Sequence, residues 1–72
     1  MPYLAPLAPL ALRARMATGL SQSRFAQVYR LDLASIRNWE QGKREPDRAT
    51  RVLLSLIEMH PGGMRKLIGT LP

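Results

Sequence analysis

Residues 20–42 read Leu-Ser-Gln-Ser-Arg-Phe-Ala-Gln-Val-Tyr-Arg-Leu-Asp-Leu-Ala-Ser-Ile-Arg-Asn-Trp-Glu-Gln-Gly, and the spacing of their apolar side chains predicts two short helices joined by a tight turn. Phe25, Ala26 and Tyr29 share one helical face, and Ile36 with Trp39 repeats that offset after the turn, so two apolar faces can close on each other. Ala26 suits the point where the helices cross, because only a small side chain fits there. Leu33, Ala34, Arg37 and Asn38 are left on the outer side of the second helix. Asp32 precedes that helix as its N-cap, and Trp39 is read as a packing residue.

The outward set has a chemistry of its own. Asn pairs bidentately with adenine, Arg with guanine, and small apolar groups meet the thymine methyl, each good bidentate pair discriminating by about 1 to 3 kcal/mol. The charge agrees: 11 Lys and Arg against 5 acids give a formal net charge of +6, which draws polyanions. Arg24, Arg30, Arg37, Lys43, Arg44, Arg48 and Arg51 all fall within or just after the two-helix segment.

Gln22 opening a helix, Phe25-Ala26, Ile36, then Trp39-Glu40-Gln41-Gly42-Lys43 and Pro46 together resemble the helix-turn-helix of the Cro and phage-repressor family, also called the xenobiotic-response-element family. The resemblance implies an all-α, compact five-helix repressor-like domain whose second motif helix lies in the major groove while the first crosses the phosphate backbone. Leu33, Ala34, Ser35, Arg37 and Asn38 would then read base edges, and Ser21, Gln22, Lys43 and Arg44 would hold the DNA backbone. It also implies an ion pair between Arg15 and Glu40. One position departs from the family: Arg30 stands where glycine is usual, and a residue with a Cβ in the left-handed region costs about 1 to 2 kcal/mol. Either the turn tolerates that strain or it is remodelled, and the Arg30 side chain is expected at a DNA phosphate or in solvent.

Outside the motif, Pro2 and Pro6 make residues 1–8 an expected N-terminal arm, either a tail or flap or a segment reaching a partner subunit. The remainder, residues 9–72, is expected to be one domain. Its first helix should run from about Pro9 to Thr18, with Leu12 and Met16 facing the core and Gly19 ending it. Gly42 should end the third helix, and Asp47 should cap a fourth running to about Met59. Val52, Leu53, Leu54, Leu56 and Ile57 form too broad an apolar set for one narrow stripe, so one edge is expected against the core and the other against a partner. Pro61 should begin a fifth helix carrying Met64, Leu67, Ile68 and Leu71. Leu56, Ile57, Met64, Leu67, Ile68 and Leu71 are the candidate dimer interface, and a C2 homodimer would call for an inverted-repeat operator.

Several function classes are disfavoured. A single histidine, His60, no cysteine and no clustered carboxylates argue against an enzyme or a metal site, and no cofactor is expected. The apolar N-terminal stretch is broken by prolines and preceded by no positive charge, unlike a membrane span or signal peptide. A cytoplasmic location is expected. The run from Trp39 to Arg44, then Pro46, Leu53-Leu54, Leu56-Ile57-Glu58 and Pro61, is similar to small antitoxins of the HigA type, which implies autoregulated repression and a RelE/HigB-like toxin as partner. Phage or plasmid operon regulators share the motif, and a protein-interaction module that has lost DNA binding is the rival from another class.

Overall fold

The computed structural model describes residues 8–72, so the expectation for the N-terminal arm lies almost wholly outside the described residues. The described chain is all-helical: α1 (Leu10–Thr18), α2 (Gln22–Tyr29), α3 (Leu33–Glu40), α4 (Arg48–Met59) and α5 (Pro61–Gly69). Each boundary has a local cause. Pro9 stands just ahead of α1 as its N-cap rather than inside it. Ser21, Asp32 and Asp47 cap α2, α3 and α4, each side chain accepting the backbone N–H three residues on, which satisfies donors a helix start leaves open. Pro61 sits at the start of α5, where its missing N–H costs nothing.

α1 is the hub, packing on each of the other four helices, while α2 bridges α3 and α5 and α4 packs on α5. That central position explains a correction to the sequence reading. The face α1 buries is Ala11 and Ala14, whereas Met16 is 42% exposed and Leu12 only half-buried. A helix contacted by four others must let their backbones approach, and alanine permits this where leucine or methionine would not.

The core closes with Phe25, Ala26, Tyr29, Ile36, Leu54, Ile57 and Ile68 around those alanines, and Trp39, Leu33 and Leu53 pack partly against it. Phe25 and Tyr29, one turn apart on α2, have ring centroids 4.9 Å apart at 46°, a tilted geometry favoured by the ring quadrupoles. The Tyr29 hydroxyl donates to the Pro61 carbonyl at 3.2 Å, pinning α5 to α2, and burial pushes the phenol above its ordinary pKa. Arg13 binds Glu58 at 3.0 Å and so ties α1 to α4.

α4 is two-sided. It buries Leu54 and Ile57 and leaves Val52, Leu56 and Met59 exposed. Ile57 and Ile68 therefore leave the candidate dimer interface, because both are needed to fill the interior of the single chain. Leu71 lies beyond the end of α5, not on it. Met64 is half-buried, and Leu67 and Leu71 are exposed. None of the described helices is long and apolar enough to cross a membrane.

Candidate nucleic-acid interface

The turn between α2 and α3 keeps the left-handed conformation despite its side chain. Arg30 has φ 57° and ψ 43°, and the N–H groups of Arg30 and Leu31 both turn back to the Ala26 carbonyl. Strain is thus tolerated rather than avoided by a remodelled turn. The Arg30 side chain is exposed, and its guanidinium donates to the backbone oxygens of Leu71 and Pro72 at 3.0 and 2.8 Å.

α3 begins on a doubly used carboxylate. Asp32 Oδ2 accepts from the Ser35 N–H at 2.9 Å and from the Ser35 hydroxyl at 3.0 Å. The Ser35 proton is committed to the cap, and the side chain can offer an approaching group only its lone pairs. Leu33 packs partly on the core. On the outer surface, Ala34 and Arg37 are exposed and Asn38 is half-buried.

The end of α3 is closed by hydrogen bonds that also place the loop. The Gly42 N–H returns to the Trp39 carbonyl and the Lys43 N–H to the Asn38 carbonyl, at 3.2 and 2.9 Å, the paired pattern of a Schellman cap. Gly42 has φ 74°, and a Cβ there would meet no neighbour, so backbone strain alone requires glycine. The Arg44 N–H also reaches the Asn38 carbonyl at 3.4 Å. Asn38 thus becomes the point to which the two loop cations are tethered. None of Arg37, Asn38, Lys43 or Arg44 makes a side-chain hydrogen bond or ion pair with another described residue.

Behind this face, α3 is clamped to α1. Arg15 Nε and Nη2 donate to the two Glu40 oxygens at 2.7 and 2.9 Å, Arg15 Nη1 to the Leu20 carbonyl at 3.0 Å, and Gln22 Nε2 to Glu40 at 3.1 Å. The Glu40 side chain is 6% exposed and that of Arg15 17%. Bonding to Glu40 raises the Arg15 pKa above its ordinary value, against the opposing effect of burial. Gln22, expected at the DNA backbone, has its amide turned to Glu40. Ser21 is exposed, its Oγ accepting from the Arg24 N–H at 3.1 Å. With the Arg24 N–H taken by that cap, the Gln22 and Ser23 N–H groups are the first-turn donors of α2 left for an anion.

Sequence reasoning missed two long-range links of the domain. The Arg13–Glu58 pair joins residues 45 apart and the Arg30 clasp residues 41 and 42 apart. No local pattern registers either. Among the described residues, no three His, Asp or Glu side chains converge as a metal cage.

The structure thus defines an all-helical domain with an unpaired, cation-rich face at the C-terminal end of α3. Comparison with known family models, with curated proteins and with solved structures finds no match.

Proposed function

We propose that this chain is a sequence-specific DNA-binding transcriptional repressor of the Cro/phage-repressor type, with α2 and α3 as its helix-turn-helix. The observation that carries the reading is the contrast around α3. Polar groups facing the protein are hydrogen-bonded, whereas Arg37, Asn38, Lys43 and Arg44, gathered about the end of the helix, are not. Unpaired groups of these types match base edges and phosphates. Ala34, Arg37 and Asn38 are the proposed readers, with Leu33 and Ser35 beside them in mainly structural roles. Lys43, Arg44 and the first turn of α2 from Ser21 and Gln22 hold the backbone.

The repressor acts as a homodimer through Met64, Leu67 and Leu71; Leu56, the other exposed dimer candidate, stands beside Arg48 and Arg51 on α4 and is assigned to a different contact. A C2 arrangement would place the two α3 helices on half-sites one DNA turn, roughly 34 to 36 Å, apart. The resemblance to HigA-type antitoxins supports a finer reading in which the operator lies upstream of the protein's own gene and a RelE/HigB-like toxin is the partner.

A titration on the duplex upstream of that gene, with excess unrelated duplex at physiological salt, tests the proposal. Binding that survives the competitor and saturates at two chains per site supports it. Affinity equal to that for unrelated DNA counts against a self-regulating repressor.

A further inference from the structure

A second face of the molecule has a different chemistry. On the outer side of α4, Arg48, Arg51, Val52, Ser55 and Leu56, all carried by that one helix, border a shallow and wide-open groove of about 370 Å³. Its lining is mainly apolar, and Met59 extends the Val52–Leu56 stripe by one further turn at 67% exposure. The two arginines rim one end. Neither forms an ion pair among the described residues, although Arg51 lies near enough to help hold the Asp47 carboxyl low.

Two occupants fit this chemistry poorly. DNA would satisfy the arginines but would leave Val52, Leu56 and Met59 against phosphates. A second copy of the chain would bring four arginines to one interface. Near α4, Glu58 is engaged by Arg13 and Asp47 caps the Thr50 N–H through one oxygen, so each copy has only Glu45 and the outer oxygen of Asp47 to set against those arginines. Cations rimming a bare apolar stripe call for the reverse arrangement, leucine-like side chains flanked by carboxylates.

We propose that the α4 groove docks an acidic amphipathic helix of a partner protein, its apolar side chains on Val52, Leu56 and Met59 and its carboxylates on Arg48 and Arg51. The site is separate from α3: α3 packs on α1 and α2, and α4 on α1 and α5. A basic partner is disfavoured at this face by the same two arginines.

The test uses the full chain, isotope-labelled, and two short synthetic helical peptides. One carries leucines at i, i+4 and i+7 flanked by glutamates, and the other has lysine at every glutamate. The expected result is saturable binding of the acidic peptide, with amide shifts concentrated between Arg48 and Met59, and no binding of the lysine peptide. Arg48→Gln/Arg51→Gln should weaken the acidic peptide about five- to tenfold, as two rim ion pairs would. Val52→Asp should abolish binding with the melting temperature unchanged, since the side chain is exposed. Equal binding of both peptides, shifts centred elsewhere, or no acidic-peptide binding would overturn the proposal. Self-association removed by Val52→Asp would give the groove to a second copy. Duplex affinity falling in the double variant as far as peptide affinity would give it to DNA. Operator selectivity lost through Arg37 or Asn38 leaves all of these outcomes unaffected, so the two readings fail separately.

Discussion

Replacing Arg15 with methionine tests whether the α1–α3 clamp is what fixes the candidate interface. The variant keeps most of the packed stem and removes the charge that meets Glu40 at 2.7 and 2.9 Å. Breaking a fully buried pair by losing one partner costs about 3 to 5 kcal/mol, mostly from the carboxylate left behind. Glu40 is 6% exposed and close to that limit, but Arg15 is 17% exposed, so water can enter where it stood. Gln22 still donates to Glu40 at 3.1 Å. These offsets bring the expectation to about 2 to 3 kcal/mol. In a domain of this size each kcal/mol moves the melting temperature by about 4 to 8 °C, so a fall of roughly 10 to 20 °C is expected.

Thermal unfolding followed by circular dichroism measures this directly. Arg15→Met/Glu40→Gln completes the cycle, and it should recover a good part of the loss because no bare carboxylate remains. A fall below about 3 °C in the single variant would show that Glu40 is solvated without its partner. The clamp could then not be what orients α3.

Other substitutions separate reading from holding. Asn38→Ala and Arg37→Ala should each lose preference for the operator with the melting temperature unchanged, while Lys43→Ala should weaken binding to every duplex and lower the salt slope by about one; unchanged selectivity in the first two would place α3 in the wrong register. Arg30→Gly and Arg30→Ala both remove the clasp on Leu71 and Pro72, but only glycine relaxes φ 57°, so the glycine variant should be the more stable by about 1 kcal/mol in denaturant unfolding. Equal stabilities would mean that the turn carries no strain. The Asp47 carboxyl is held below its ordinary pKa chiefly by the Thr50 N–H, so its contribution is full above the unfolded value and fades as pH falls through the lower folded one. The stability gap between the wild type and Asp47→Ala should therefore narrow below about pH 4, and a gap constant down to strong acid would contradict the cap.

What could be read from the sequence divides by the range of the interactions. Asp32 and Asp47 were legible as caps because their hydrogen bonds span three residues, and Ile36 and Trp39 were legible because helical spacing announces them. The exposure of Met16 has a tertiary cause: a hydrophobic count cannot say that a helix central to four others will bury alanines and push a methionine outward. Ile57 and Ile68 fill the core rather than a dimer surface, a distinction that periodicity cannot draw because it shows which residues share a face, not how much of that face one chain can cover. The engagement of the Ser35 hydroxyl by Asp32 is not legible either, because a pattern records a position and not where its hydroxyl turns.

The two exposed cationic faces are distinguishable by salt. Around α3 the cations stand with an amide and little apolar surface, so attraction there rests on released counterions, and affinity should fall with log salt at a slope near −0.9 per phosphate neutralised. On α4 the arginines rim Val52, Leu56 and Met59, and burial of apolar surface is not screened by ions. Raising salt from low to physiological strength should therefore reduce duplex affinity steeply while leaving most of the acidic-peptide affinity at the groove. Parallel losses at the two faces would mean that α4 offers only charge, and the apolar stripe would then have no part in what binds there. A shallow loss on DNA alone would point instead to contacts made mainly by neutral groups, with Asn38 and Ala34 at the centre and Lys43 and Arg44 dispensable.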